Sequence, residues 1–455
     1  MLFIVLSLII FYIFTLYYFN GFQTAKGEPP YLRGLLPFFG VMIDIGRKGL
    51  YHFVTENSEY YGKIFTVFLL GKRIHVVSDH NAYSQIQRKP KLFSFNPVIK
   101  EFGQILKHSD SVDEEVREDA IEPVKQFLMG KELEILSKEY GRLALKRLEE
   151  TFEQENVNGS MTVNLHAFVR KILYYASGKS LIGEKFDTDA TEEDFFKFDD
   201  NLKVLVLGVP EIFTKSIFEA RERVLKELEK IDFKTGSAFI QNGVDNKSQE
   251  KSAVFAFSML GASQTNSIHG GFWTFYNVLK HPEVKKQVML EIDDKFTVEE
   301  YEKSIDSMET LHGAYLETMR FHNLGVSIRE ALEDTKLEVE GKNFKIRKGD
   351  RIYMLPIAYQ DPTVFENPEK FVVSRYNGKQ TEMMKKATIP FGGGVHLCPG
   401  RFFAINEIKL FTILMLKHFE CELIEDKNLE NDYASVSYLS PKGDIKMKIS
   451  KKIKV

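Results

Sequence analysis

Cysteine, tryptophan and long basic runs are scarce in this chain. Of its 455 residues, two are cysteine and one is tryptophan. So few cysteines argue against a disulfide framework and favour a reducing compartment. The 61 basic and 64 acidic residues give a net charge of −3, without a long basic block that could follow a phosphate backbone. We therefore expect no nucleic-acid partner.

The sequence also lacks internal repeats and low-complexity tracts, which excludes a solenoid. Hydrophobic residues make up 44% of the chain, enough for a sizeable core. From about residue 112 to 325 most segments have the apolar period and length of helices. β-rich runs flank Gly71-Lys72 and Gly341-Lys342, which predicts two hairpins with these pairs as turns. The prediction is a mainly α fold with small β sheets.

The amino-terminal run, residues 2–19, contains no charged residue. As a helix it would be about 27 Å long, close to the thickness of a thin bilayer. We predict a membrane anchor over 1–20, a Pro/Gly-rich connector over 21–50 and a single catalytic domain over 51–455. The alternatives are a buried core helix and a cleaved signal peptide, but the run is long for the latter and no basic segment precedes it. Basic residues after the run place the body on the cytoplasmic face.

The two cysteines lie in different contexts. Cys421 occupies a strand-like alternation, Phe419 to Leu423, and is predicted to be a core thiol. Cys398 lies in a glycine-bearing loop, PFGGGVHLCPG, just before a helical run that extends to about Leu416. At a helix start, backbone N–H groups and the helix dipole stabilise a thiolate, which makes Cys398 a candidate ligand. No Gly-Lys-Ser follows for a phosphate loop, and a zinc site would need further ligands beyond the nearby His396.

The cysteine loop resembles the haem-binding pattern of the cytochrome P450 family, through Phe391, Gly394, Cys398 and Gly400. The resemblance implies the cytochrome P450 fold and haem b held through the Cys398 thiolate. In that family the thiolate pushes electron density towards the iron and favours O–O cleavage.

Two basic residues are candidates to bind the haem propionates. The family usually has an arginine two positions before the cysteine, where this chain has His396. A histidine can donate to a carboxylate, although the alternative is an exposed loop histidine. Arg329 in GVSIRE matches a propionate-binding position of many relatives, and its planar fork suits a carboxylate. The second contact of relatives, Trp-x-x-x-Arg, is absent, and Lys125 or His396 is the candidate substitute.

A charged triad is also implied by the resemblance. The family carries Glu-x-x-Arg, here Glu317 and Arg320, whose spacing places both side chains on one helical face. Arg375 stands at the place of the second arginine of the family. We expect the three to form a buried network, although such pairs elsewhere are usually solvated surface contacts.

The segment from 250 to 280 predicts a buried helix with a polar centre. It resembles the long helix that crosses over the haem. Most monooxygenases have an acid followed by a threonine there to deliver protons, whereas this chain has Thr265 and Asn266. Asparagine at this place resembles the sterol 7α-hydroxylases, 12α-hydroxylases and prostacyclin synthases. The two residues are predicted to order water for proton delivery, and the alternative is that they only cap a kink.

The leading functional hypothesis is a monooxygenase that hydroxylates a sterol or related lipid with O₂ and electrons from NADPH. The resemblance implies a separate NADPH-cytochrome P450 reductase, a bilayer partner and location in the endoplasmic reticulum membrane. Basic residues near the cysteine, Lys385, Lys386 and Arg401, could receive the acidic reductase or be surface charge. One rival is a lipid endoperoxide or hydroperoxide isomerase that needs no reductase. Another is a non-catalytic haem-binding sensor or carrier.

Overall fold

The computed structural model describes residues 2–21, 25–34, 39–107, 125–206, 209, 211–297, 301–378, 380–433 and 438–452. Helices dominate, as predicted. In chain order they are α1 Leu2–Gly21, α2 Met42–Lys48, α3 Leu50–Tyr61, α4 His80–Gln87, α5 Asn96–Ile105, α6 Gly130–Glu155, α7 Leu165–Ile182, α8 Thr188–Asp199, α9 Leu202–Val206, α10 Glu211–Leu228, α11 Ala238–Gly243, α12 Gln249–Lys280, α13 Pro282–Lys295, α14 Tyr301–Asp306, α15 Glu309–His322, α16 Glu382–Ala387 and α17 Arg401–His418.

The strands form small sheets at the edge of this helical body. They are β1 Ile64–Leu69, β2 Lys72–Val77, β3 Phe93–Ser94, β4 Ser160–Asn164, β5 Ser327–Ala331, β6 Thr335–Val339, β7 Lys342–Ile346, β8 Arg351–Met354, β9 Phe419–Leu423 and β10 Lys446–Lys451. Among the described residues the largest sheet has the order β1-β2-β8-β5-β3. A second sheet has the order β4-β10-β9, and β6 and β7 form a hairpin.

Helix α12 runs through the centre of the main core. The Ser248 hydroxyl caps its first turn by accepting from the backbone N–H of Lys251, and Pro282 begins the next helix. Most of its side chains are buried, because α7, α10, α15 and α17 pack around it. The predicted helix over 250–280 is therefore confirmed.

Both predicted hairpins exist, but their turns lie one residue earlier than predicted. The first turn is Leu70-Gly71, with φ angles of 50° and 80°, and Lys72 already pairs with Leu69. In the second hairpin Glu340 and Gly341 have φ angles of 49° and 73°. Two successive left-handed residues match the right-handed twist of a hairpin, which is why glycine takes the second place.

Strand β4 was not predicted, because it lies inside the long region of helical pattern. Its residues alternate between buried and exposed, and it pairs with β10 in antiparallel register, for instance Met161 opposite Ile449. On the other side of β10, Cys421 is buried within β9. The prediction that Cys421 is a core thiol is confirmed.

Within the predicted connector, the chain pairs with the largest sheet. The backbone N–H of Thr66 donates to the Pro30 carbonyl, and the backbone N–H of Leu32 donates to the Thr66 carbonyl. The connector also contains helix α2. Residues 30–32 therefore act as a further edge of that sheet.

A buried ion network fixes the start of this connector. The Arg73 guanidinium contacts Glu28 and Asp350, each at 2.8 Å. The Nε2 atom of His75, a fully buried residue, lies 2.7 Å from the same Asp350 carboxylate. Arg347 Nε contacts the other oxygen of Glu28 at 2.6 Å. Because each buried charge has a partner of opposite sign, breaking one pair leaves an uncompensated charge in the interior.

Helix α1 contains the apolar amino-terminal run. From Val5 to Phe14 its side chains are exposed. In the part of the chain that is described, none of the helices meets the length and apolarity needed to traverse a bilayer.

Candidate functional site

Cys398 lies in a compact loop between α16 and α17. Its backbone N–H donates to the carbonyl of Phe391 at 3.0 Å, which closes the loop. Its own carbonyl accepts from Nη1 of Arg401, the first residue of α17, also at 3.0 Å. These two bonds hold the cysteine immediately before a helix that is buried along most of its length.

Opposing electrostatic effects act on the pKa of the Cys398 thiol. Burial raises its pKa above the ordinary value, whereas the backbone N–H of Gly400 and the charge of Arg401 lower it. A nearby metal cation removes the penalty of burial, because it stabilises a coordinating thiolate directly. The site therefore suits a thiolate that is bound to a metal ion.

The glycines of the loop are explained in part by the packing of α4. Gly392 and Gly394 have φ angles of 72° and 66°, which favour glycine. A Cβ on Gly393 would lie 2.3 Å from the side-chain oxygen of Gln87, and one on Gly394 would lie 2.4 Å from its backbone oxygen. A close approach therefore accounts for these two glycines, and the protein surface that they approach is the last turn of α4. Gly400, in contrast, has only ordinary contact around its Cβ position.

A basic corner lies beside the cysteine loop. Arg329 on β5 is buried, and its guanidinium carbon lies 5.4 Å from the ring centre of Phe95. Phe95 also contacts His396, whose ring centre is 5.8 Å away. The structure thus gathers both predicted propionate-binding residues around one phenylalanine. Lys125 lies on the surface.

The predicted triad forms one buried cluster. Arg320 makes two bonds of 2.8 Å to the two oxygens of Glu317, and both residues have 0% exposure. Arg375 Nε donates to Glu317 Oε1 at 3.0 Å. Arg320 also donates to the Tyr359 carbonyl, and the backbone N–H of Val372 donates to Glu317. The cluster therefore ties α15 to the segment that precedes the cysteine loop.

On α12 the two predicted proton-delivery residues point in different directions. Asn266 is exposed, as is Ala262 one turn before it, so this face of the helix is left largely uncovered by the described residues. The Asn266 side-chain oxygen accepts from the backbone N–H of Tyr438 at 3.3 Å. Thr265 instead faces α8, where its hydroxyl lies 2.5 Å from Asp199.

Two acidic residues near this helix, Asp199 and Glu407, were not predicted from the sequence. Burial raises the pKa of Asp199 to about 6, and burial raises the pKa of Glu407 on α17 to about 8. The Ser177 hydroxyl donates to Glu407 at 2.6 Å, and Ser267 of α12 faces the same carboxyl. For Glu407, an acidic residue within the apolar run of α17 could have indicated a buried carboxyl. Asp199 carried none, because its partner Thr265 is 66 residues away.

The residues around Cys398 fit the haem that the resemblance implies. One thiol precedes a helix, two basic side chains stand beside it, and the uncovered face of α12 belongs to a helix that packs against α17. Burial raises the pKa of Tyr315, which lies close enough to Cys398 for the thiolate charge to raise it further. Its buried hydroxyl has no hydrogen-bond partner among the described residues. A buried polar atom of this kind is expected where a further group or ordered water completes the interior.

Comparison with known proteins agrees with this geometry. The chain belongs to the cytochrome P450 family, whose model matches residues 29–242 and 206–449. The predicted family, the mainly helical fold with small sheets and the class of cytochrome P450 monooxygenase are thereby confirmed. The family implies haem held through a thiolate.

Named relatives cover nearly all of the chain. It is 29% identical over 443 residues to cytochrome P450 7B1 of Mus musculus, which covers 88% of this chain and 86% of that protein. It is 26% identical over 487 residues to cholesterol 7-alpha-monooxygenase of Cricetulus griseus, with 94% and 95% covered. It is 28% identical over 451 residues to 5-beta-cholestane-3-alpha,7-alpha-diol 12-alpha-hydroxylase of Sus scrofa, with 89% and 88% covered.

Proposed function

We propose that this protein hydroxylates a sterol or a related lipid, as a haem-thiolate monooxygenase of the cholesterol or oxysterol 7α-hydroxylase type. The observation that carries the proposal is the Cys398 thiol, held at the start of α17 in a chain of the cytochrome P450 family. The choice of substrate class is supported by the names of the relatives, which act on cholesterol and on a cholestane diol.

In this proposal the residues of the cysteine loop hold the cofactor. Cys398 would supply the thiolate that binds the haem iron, Phe391, Gly394 and Gly400 would shape the loop around it, and Arg329 and His396 would bind the propionates. Haem bound through a cysteine thiolate supplies the capacity to activate O₂. The triad of Glu317, Arg320 and Arg375 stabilises the segment that carries the loop, because removing one member would leave buried charge unpaired.

The exposed face of α12 forms the substrate side of the site. Ala262 leaves room there because its side chain is a single methyl group, and Asn266 offers an amide that can both donate to and accept from water. Asn266 on this face and Thr265, which faces α8, are the residues proposed to order water for proton delivery. An amide has no proton to give at neutral pH, so Asn266 would hold water rather than act as an acid.

Electrons come from NADPH through a separate reductase in the membrane of the endoplasmic reticulum. Lys386 and Arg401 are the proposed contacts for its acidic surface, whereas Lys385 already pairs with Glu382 at 2.9 Å. Residues 1–20 attach the protein to the bilayer as a single pass, residues 21–50 connect, and residues 51–455 form the cytoplasmic catalytic domain. The exposed apolar side chains from Val5 to Phe14 support this attachment.

The decisive assay supplies purified full-length holoenzyme with reductase, NADPH and a panel of sterols that includes cholesterol and 25-hydroxycholesterol. We expect a substrate-induced spin shift and one hydroxylated product that requires NADPH. Turnover of a lipid endoperoxide without NADPH, and no sterol product, would instead identify an isomerase. Neither a spin shift nor turnover would point to a haem-binding carrier.

Membrane attachment has its own assay. Full-length protein is expected to sediment with membranes and to resist alkaline extraction, because the apolar run of α1 favours lipid over water. A variant without residues 1–20 should be released to a larger extent. If both forms are extracted equally, the proposed anchor is wrong.

A further inference from the structure

The hairpin of β6 and β7 carries two lysines directly opposite each other. Lys336 on β6 pairs in register with Lys345 on β7, and both side chains are exposed, whereas the neighbouring Leu337 is buried. Among the described residues neither ammonium group has an ion-pair or hydrogen-bond partner. Like charges directly opposite each other on two strands destabilise a sheet. The hairpin therefore keeps an arrangement that costs stability unless an anion lies between the two lysines.

Both lysines line a surface groove of about 470 Å³. Arg347 and Glu28 line it too, and they bind each other through contacts of 2.6 and 2.9 Å. Arg73 adds a second cation to Glu28 at 2.8 Å. The other carboxylate of the lining belongs to Asp334, whose Oδ1 accepts from the backbone N–H of Lys348. The two lysines are thus the cations of the lining that remain without a partner, and the groove favours an anion.

The groove lies beside the connector that follows helix α1. The backbone N–H of Lys345 donates to the carbonyl of Gly27 at 2.8 Å, and only a few residues of chain separate Gly27 from Gly21, the last residue of α1. Helix α1 carries the exposed apolar side chains of the proposed membrane attachment. Exposed lysines at 26 and 348 add positive charge on either side of the groove in sequence. The unpaired lysines are therefore held close to the part of the chain that favours lipid.

We propose that this groove binds the phosphate of an anionic membrane lipid, with the ammonium groups of Lys336 and Lys345 as its ligands. A lysine binds phosphate as a point charge with three N–H donors. One phosphate between the two ammonium groups replaces their repulsion by two attractions. At an anionic leaflet each lysine contributes about a fivefold gain in binding. A lipid as the source of the phosphate rests on the proposed attachment through residues 1–20, whereas the groove takes no part in the proposed hydroxylation.

The test follows amide hydrogen exchange by mass spectrometry in full-length holoenzyme. The protein is reconstituted into vesicles of phosphatidylcholine alone, or of phosphatidylcholine mixed with phosphatidic acid. We expect the anionic vesicles to slow exchange in β6, in β7 and in connector residues 25–28 by about fivefold or more. Lys336→Gln should lose this response, and so should Lys345→Gln. An equal response in the wild type and in Lys336→Gln overturns the proposal.

Lys342→Gln is the matched control. Lys342 is an exposed lysine of the same hairpin, but it pairs with Val339 and does not line the groove. Its substitution removes the same charge and should keep the response to anionic lipid. In phosphatidylcholine alone, Lys336→Gln should itself slow exchange, by up to about fivefold, because the repulsion between the lysines is relieved. If Lys342→Gln loses the lipid response as fully as Lys336→Gln, a general attraction replaces the site and the proposal is wrong.

A further arm separates lipid phosphate from free phosphate. Inorganic phosphate is added to the protein in phosphatidylcholine vesicles, and we expect little slowing, because a free ion lacks the high local concentration that the attached membrane provides. Slowing equal to that from phosphatidic acid would overturn the lipid assignment in favour of a soluble phosphate. Exchange is measured without turnover. A failed sterol assay therefore leaves the groove unaffected, and an absent lipid response leaves the proposed hydroxylation unaffected.

Discussion

The hydroxyl of Ser177 lies 2.6 Å from the carboxyl of Glu407, so a side chain of α7 holds an acid in the middle of α17. Glu407 is almost completely buried, and its Oε1 has no hydrogen-bond partner in the described part of the chain. Burial raises its pKa to about 8, so at neutral pH this acid is mainly protonated. The core around the cysteine helix therefore contains a neutral carboxylic acid.

This protonation makes stability depend on pH. Because the folded protein holds the Glu407 proton to about pH 8 and the unfolded chain releases it near pH 4, the folded state loses stability as the pH rises between these values. Each pH unit in this interval costs about 1.4 kcal/mol. Glu407→Gln lacks the ionisable group, so we expect its advantage over the wild type to grow with pH. Chemical unfolding at pH 5, 7 and 9 measures the difference, and parallel curves would refute it.

Replacing Cys398 by alanine should abolish haem binding while the chain still folds. The thiol is the ligand proposed for the iron, and an alanine side chain has no atom that can coordinate a metal. The measurement is the reduced carbon monoxide difference spectrum together with circular dichroism. Cys421→Ala is the control, because that thiol is buried in strand β9 and lies outside the cysteine loop. Recovery of the wild-type spectrum in the Cys398 variant would exclude the assigned ligand.

Substitution of Arg320 by lysine should destabilise the protein strongly. Lysine cannot make the two parallel bonds to Glu317 and would also lose the bond to the Tyr359 carbonyl. Removing one partner of a buried pair costs about 3–5 kcal/mol, and lysine, which keeps the charge but loses the paired bonds, should cost a large part of that. Arg142→Lys is a suitable control, because Arg142 pairs with Glu139 at the surface and should cost less than about 1 kcal/mol. Equal losses of folded protein in thermal unfolding would contradict the expected role of the triad.

Glycine at 394 should be required more strictly than glycine at 378. Both have a left-handed backbone, with φ angles of 66° and 92°, so alanine is strained at either place by about 1–2 kcal/mol. Only at 394 would the added methyl group meet a backbone oxygen, that of Gln87, at 2.4 Å. We expect Gly394→Ala to lower the unfolding temperature and the haem content more than Gly378→Ala. If Gly378→Ala lowers the unfolding temperature more than Gly394→Ala, the end of α4 shifts to accommodate the methyl group at 394 and the prediction is wrong.

The sequence predicted those features that depend on local pattern. Helix α12, the half-buried strand of Cys421 and the existence of both hairpins follow from periodicity. The exact turns did not, because glycine can occupy either central position of a two-residue turn and only the register of the strands decides. Strand β4 owes its conformation to pairing with β10, far along the chain, so the local pattern could not reveal it.

In the candidate site, too, features set by local sequence could be predicted, whereas features formed by packing of distant helices could not. The loop of Cys398 and the spacing of Glu317 and Arg320 could be recognised within a few residues of sequence. The neighbours Gln87 and Asp199 could not, because each meets its partner only after helices from distant parts of the chain have packed. Thr265 illustrates the consequence. Its place on α12 was predicted, but the carboxyl that its hydroxyl contacts comes from α8.

The buried position of Glu28 limits how far the catalytic body can stand from the end of helix α1. Arg73 and Arg347 clamp Glu28, while α1 ends at Gly21, so seven residue steps join the two points. Even fully extended, this tether reaches about 25 Å. If α1 lies in a bilayer, the catalytic body would stay within roughly one protein radius of the lipid surface. Its rotation relative to the membrane would then be restricted.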